Sequence, residues 1–285
     1  MKLRYLFLLM LCMLLIPQAR AGLATGSWRQ HPVHGSVTSL VDTHDAVWYV
    51  TGGCVYRYDK SADETRFFES GRILSDNSAL FLRYSPEHDI VAVAYESGNI
   101  DYIYPDGKVV NLSDIKDTQA NITKTINDIV FDGDDMYVAM ASGIVLYNVP
   151  RAEVSQSGIY DMDVQTVIPT PEYIFFPVST SSAATDWMDT MYRIPRSKSL
   201  HRPENCEMVN RFWCAFSHPE PLDEERRNWA MARDGRLAYA VFNADGSWSG
   251  KYDLPHNGNI VKVKEVTRSA ADGVVRFIDL SGQIC

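Results

Sequence analysis

Asp45-Ala-Val-Trp-Tyr-Val50, Asp89-Ile-Val-Ala-Val-Ala94 and Asp135-Met-Tyr-Val-Ala-Met140 are three copies of one pattern, an acid followed by five apolar or aromatic residues. Looser copies are Glu172-Tyr-Ile-Phe-Phe-Pro177, Gly235-Arg-Leu-Ala-Tyr-Ala240 and Gly273-Val-Val-Arg-Phe-Ile278. The six starts lie 44, 46, 37, 63 and 38 residues apart. In the first three copies a glycine follows eight or nine positions later (Gly53, Gly98, Gly143), and another short strand follows the glycine. Short strands repeating every 40–45 residues or so are the mark of a β-propeller, one four-stranded blade per repeat.

Working outward, residues 37–41, 46–50, 55–58 and 65–68 read as the four strands of a first unit, with Asp, Gly and Ser in the turns. The second unit reads as 81–84, 90–95, 100–104 and 108–112, and the third as 126–131, 136–141 and 144–148. The fourth holds 164–168, 173–178 and 188–193, followed by a long proline-bearing loop over 195–227. The fifth runs 229–232, 237–242 and 248–253. The sixth has only 261–266 and 274–280 before the turn Ser281-Gly282, where a third strand should begin. Residues 27–31 can supply one missing outer strand, not two. The expectation is an all-β propeller of four-stranded antiparallel blades with six units visible and the last incomplete. An open ring exposes strand edges, so the chain reads as truncated at its C-terminus, a fragment of a longer protein.

Lys2 and Arg4 precede an apolar run over 6–16, Pro17 ends it, and Ala19-Arg20-Ala21 presents small residues to a signal peptidase. Residues 1–21 therefore read as a secretory signal peptide and 22–285 as one exported propeller, placed in the periplasm or at the outer cell surface. Cys12 lacks the preceding small residues of a lipoprotein site. No later stretch approaches the roughly 18 apolar residues of a spanning helix. The whole chain carries a formal charge of −9; without Lys2, Arg4 and Arg20, 24 basic residues face 36 acidic ones, a charge of −12. With no Lys/Arg cluster, this acidic balance argues against nucleic acid or anionic membrane as a partner.

Four cysteines follow the leader: Cys54, Cys206, Cys214 and Cys285. An oxidising compartment permits disulfides, and the short separation of Cys206 and Cys214 favours a local bridge between them. No two of the four have the spacing of a zinc knuckle. Asp132-Gly-Asp-Asp135 lacks the twelfth-position Glu of a calcium loop and reads as a hairpin turn. Asp161 and Asp163 read as a solvent face, and His31 with His34 lacks a third ligand. No Gly-x-Ser-x-Gly elbow, His-Glu-x-x-His or Walker loop occurs. The expectation is a protein with no cofactor, no metal and no catalytic residues. Of its aromatic residues, Trp187, Trp213, Trp229 and Trp248 lie near loops and are the candidates for an exposed contact platform.

Trp28 and His31, Val55-Tyr-Arg-Tyr-Asp59, Gly71-Arg-Ile-Leu-Ser-Asp76, Val93-Ala-Tyr-Glu-Ser-Gly-Asn-Ile-Asp101, Asn111-Leu-Ser-Asp-Ile115, Lys124-Thr-Ile-Asn127 and Ala141-Ser-Gly-Ile-Val-Leu-Tyr147 occur in that order. This succession resembles the PorZ N-terminal β-propeller family of the Bacteroidetes type IX secretion system. The resemblance implies a surface-exposed, non-catalytic protein that helps attach secreted cargo to the cell surface. Its implied partners are other secretion-system or cell-surface proteins, or a surface glycan or lipopolysaccharide. Family members carry a second propeller and a sorting domain, and lipopolysaccharide recognition belongs to that region, so no residue here inherits it. The alternative is a periplasmic ligand-sensing propeller like those of hybrid two-component regulators. A third reading, a channel enzyme, requires carboxylates from several blades to converge at one mouth.

Overall fold

The computed structural model describes residues 35–179, 188–213, 216–223, 226–233, 236–253, 255–256, 259–260 and 263–285. The expected signal peptide and the strand at 27–31 lie outside these residues.

The first sheet is β1 (Val37–Asp42), β2 (Ala46–Thr51), β3 (Cys54–Asp59) and β4 (Glu64–Phe68), paired in chain order and antiparallel. The second repeats it with β5 (Ala79–Ser85), β6 (Ile90–Tyr95), β7 (Ile100–Ile103) and β8 (Val109–Leu112). The third is β9 (Ile126–Asp132), β10 (Asp135–Met140), β11 (Gly143–Asn148) and a fourth strand, β12 (Glu153–Ile159), that the sequence reading did not assign. β12 is mostly exposed and polar, so it has no apolar alternation to betray it.

In the fourth sheet the inner position is split into β13 (Asp163–Val164) and β14 (Ile168–Pro169), both paired to β15 (Tyr173–Ser179), followed by β16 (Met188–Pro195) and β17 (Glu207–Trp213). The fifth is β18 (Phe216–Pro221), β19 (Asn228–Arg233), β20 (Arg236–Phe242) and β21 (Trp248–Asp253). The long loop expected over 195–227 is thus corrected, because β17 and β18 both fall within it. Proline hid β18: Pro219 sits where the register to β19 shifts between Ser217 and Glu220, an irregularity that tolerates a residue without an N–H. The spacing of 63 has its own cause. The apolar runs of the first four units are second strands, whereas Gly235–Ala240 covers β20, the third strand of its blade.

After the small pair β22 (Pro255–His256) and β23 (Asn259–Ile260), the sixth sheet holds β24 (Val263–Arg268) and β25 (Val275–Asp279). A third strand does begin beyond the Ser281-Gly282 turn: Ile284 bridges Ile278, and Phe277 and Cys285 exchange backbone hydrogen bonds. The structure therefore has four-stranded sheets in its first five blades and an incomplete sixth.

β6 is buried at every position because neighbouring sheets cover both its faces. Among the described residues, apolar clusters fill the successive gaps between blades. Val41, Trp48 and Phe68 meet Leu82 and Tyr95 in the first, and Leu237 meets Val263 and Phe277 in the last. The open ring expected from the sequence is also corrected: β24 packs against β1 as well as against β18 and β19. The backbone N–H of Val37 donates to Gly282 O at 3.3 Å, as Ala79 N donates to Gly53 O at 3.0 Å between blades one and two. Gly282 (φ 87°) and Gly53 (φ 73°) are matching turn positions against which the next blade's inner strand starts. Among the described residues no helix is long and apolar enough to cross a membrane.

Candidate functional site

Each inner strand of a propeller brings side chains toward the axis, where a large apolar residue from every blade would overcrowd the space. This chain places one polar side chain per blade there: Ser39 on β1, Arg83 on β5, Asp128 on β9, Thr166 between β13 and β14, Glu220 on β18 and Glu265 on β24. Arg83 donates from Nε to Asp128 Oδ1 at 3.0 Å, and from Nη1 to Glu265 Oε1 at 2.8 Å and to Leu82 O at 2.7 Å. Blades two and six are not neighbours, so this contact marks the axis. Asp128 also accepts from Thr166 Oγ1 at 2.6 Å and from Ile129 N at 2.9 Å. Glu265 accepts from Ser39 Oγ at 3.1 Å and from Leu40 N at 3.1 Å. Both carboxylates are buried (2 % exposed), and every one of their oxygens has a donor.

Burial opposes the charge on Arg83, but Asp128 and Glu265 together hold it more basic than a free guanidinium. Glu220 is the third acid. Burial pushes its carboxyl up to about 7 against the attraction of Arg83, with Asp128 and Glu265 adding like-charge repulsion. It accepts from the Arg268 backbone, and the Thr267 hydroxyl lies 3.5 Å from its Oε1. Above this floor opens a cavity of about 430 Å³, rimmed by His44, Tyr84, Pro86, Arg226 and Arg268 from the first hairpin turns of several blades. Ligand sites in ring-shaped folds favour such loop clusters on a rigid scaffold.

A second groove of about 1160 Å³ lies where blades three, four and five meet. There Asp132 is ion-paired with both Arg196 and Arg226. The two guanidiniums also donate inward to Thr170 O, Phe131 O and Pro169 O, so they tie three blades together.

The residues singled out in the sequence fall elsewhere. Trp229 is 2 % exposed, donates its indole N–H to Arg226 O at 2.7 Å and meets Trp248 edge-on at 6.0 Å. Trp248, half-buried, packs on Phe242 at 4.8 Å. The exposed platform expected from these two is corrected: they are core between blades four and five. Trp187 and the side chain of Trp213 lie outside the described residues. So does Cys214, but β17 between the two cysteines spans about 20 Å at 3.3 Å per residue. A disulfide needs Cα atoms within about 7 Å. The Cys206–Cys214 bridge is therefore corrected, and Cys206 carries a free thiol. Asp132 and Asp135 pair across a hairpin turn as expected, and Asp163 accepts from the Asn127 amide.

None of the six axial residues was singled out from the sequence. Their signal is a polar side chain in the middle of an apolar inner strand, as in Phe81-Leu-Arg-Tyr84 and Asp128-Ile-Val-Phe131. Among the described residues no group of three or more His, Cys, Asp and Glu is arranged to hold a metal ion.

Residues 47–188 match the family described as TSS9, PorZ, N-terminal beta-propeller domain. This segment belongs to the PorZ N-terminal propeller family. The chain is similar to PorZ, a surface component of the type IX secretion system of Porphyromonas gingivalis, at 15 % identity with a TM-score of 0.68. That likeness covers 91 % of this chain and 39 % of the PorZ structure, so the chain spans well under half of its length. Similar folds occur in the β-propeller domain of Myceliophteria thermophila Cps50 (Swd1) and in the RRP9 WD40 repeats. Identities are 11 % and 9 %, TM-scores 0.53 and 0.55, with 90 % and 88 % of this chain and 98 % and 88 % of those chains covered. At such identities the likeness is one of fold. No curated protein matches the sequence.

Proposed function

We propose that this chain is a non-catalytic, exported propeller that serves type IX protein secretion and cell-surface attachment, binding protein or glycan at the mouth of its central channel. The observation that carries this reading is the PorZ-family segment, 47–188, which spans the second strand of blade one through the third strand of blade four. The leader-like residues 1–21 and the acidic, repeat-built surface fit an exported scaffold.

Carboxylates do converge on the channel, which a channel enzyme would require. Two of the three already have all their oxygens engaged, by Arg83, Ser39, Thr166 and backbone N–H groups. Among the described residues of the cluster that leaves Glu220 as the one carboxylate not bonded to Arg83, which favours binding over catalysis by a pair of carboxylates.

The test is deletion of the gene in its own host, with complementation by the full chain and by His44→Trp, which fills the cavity mouth without touching the axial residues. Loss of surface-attached cargo on deletion, restored by the full chain and not by His44→Trp, is expected. Normal cargo attachment after deletion overturns the secretion role and leaves the sensor-propeller reading. Glycan turnover abolished by Glu220→Gln overturns the non-catalytic part.

A further inference from the structure

The axial cluster brings three carboxylates to one guanidinium. Arg83 reaches Asp128 with Nε and Nη2 and Glu265 with Nη1, leaving Glu220 the acid that Arg83 does not bond directly. We propose that Glu220 is a proton-operated latch on the ring: protonated, it lets β18 and β24 close on Arg83, and ionised, it loosens the junction of blades five and six with blade two.

Glu220 lines one cavity with Arg83 and Asp128, and the Thr267 hydroxyl on β24 stands 3.5 Å from its Oε1, so this side chain sits at the junction of β5, β9, β18 and β24. The charged groups facing Glu220 are Arg83 from β5, Asp128 from β9, and Glu265 from β24. Arg268 offers its backbone N–H, and its side chain with Arg226, His44 and Asp42 lines the cavity above. Asp42 is neutralised by Lys60 and Arg276, and Arg226 is paired with Asp132, so neither of them answers the charge of Glu220. An ionised Glu220 would therefore face two buried carboxylates in a low-dielectric space, where like charges cannot all ionise cheaply. The same carboxyl sits beside Pro219, at the register shift of β18, where the ladder is already interrupted.

The linkage has a definite sign. In the folded protein the Glu220 carboxyl is pushed up to about 7, above the 4.5 usual for a glutamate. Between these two values the folded state binds more protons than the unfolded chain, so the contribution is complete below the lower one and is lost as pH rises through the upper one. The mouth of the channel inherits this dependence, because β18 leads into the loop carrying Arg226 and β24 into the one carrying Ser269 and Gly273.

The experiment uses the full chain and Glu220→Gln, with urea unfolding and amide hydrogen exchange between pH 5 and pH 8.5. The folding equilibrium of the parent is expected to weaken on the order of a hundredfold across that range, with faster exchange in β18 and β24, while Glu220→Gln stays nearly flat. The infrared band of a protonated carboxyl, present at pH 6 and missing in Glu220→Gln, reads the proton directly even where that variant is less stable. Parallel pH profiles for the two proteins, or no such band in the parent, overturn the proposal.

Discussion

Arg83 and Glu265 stand 182 positions apart in the chain, yet Nη1 of one donates to Oε1 of the other at 2.8 Å across the axis of the ring. Through this pair the second blade is held to the sixth, and through Ser39 and Leu40 the same carboxylate holds the first. The last sheet has few strands, so these polar contacts at its inner edge carry much of the closure.

Arg83→Met should be strongly destabilising, by roughly 3–5 kcal/mol, because it strands Asp128 and Glu265 as buried charges without their cation. Urea midpoints at constant m-value measure it. A loss below about 1 kcal/mol would show that the cluster does not hold the ring.

Asp42 performs a similar task at the rim of the first and sixth blades. Its side chain is fully buried between Lys60 Nζ (2.5 Å) and Arg276 Nη1 (2.8 Å). Asp42→Asn keeps the shape and removes the charge, and should cost about 2–4 kcal/mol. Arg276→Gln should cost less, since Lys60 remains. Thermal unfolding of the two variants orders them.

Two turn glycines give an internal comparison. A Cβ at Gly282 would collide with Ser36 Cβ and lie 2.6 Å from Ser36 Cα, whereas one at Gly71 would meet nothing within 4 Å. Both have positive φ, 87° and 73°. Gly71→Ala should therefore cost only the backbone strain, about 1 kcal/mol. Gly282→Ala should add the steric cost of pushing β1 from blade six, roughly 1–3 kcal/mol more. Equal losses would mean that the first and sixth blades do not pack as described.

Cysteine chemistry provides a fourth check. Burial raises the Cys206 thiol to about 11, with the Glu204 carboxylate adding to the effect, while Cys285 is exposed. Alkylation at pH 8 should label Cys285 at least about tenfold faster than Cys206. A non-reducing peptide map that finds Cys206 in a disulfide with Cys214 would contradict the extended path of β17.

Much of the ring was legible in the chain because inner and second strands, covered on both faces, become near-continuous apolar runs such as Ile90–Tyr95. Strands at the periphery were harder. β12 is exposed, and β17 and β18 sit among prolines and charges, so neither periodicity nor composition separates them from loop. The tryptophans misled for a related reason: Trp229 and Trp248 lie near turns in sequence, but the neighbouring blade covers both.

The class of fold, the approximate strand positions of the first three blades and the PorZ resemblance could all be read from the chain, since local alternation and turn residues act within about ten positions of each other. Tertiary structure alone decided that blade six closes on blade one and that Ser39, Arg83, Asp128, Thr166, Glu220 and Glu265 meet. The physical reason is that ring closure juxtaposes residues more than two hundred positions apart, such as Ser39 and Glu265. A single polar residue in each inner strand has no meaning until the six strands face one axis.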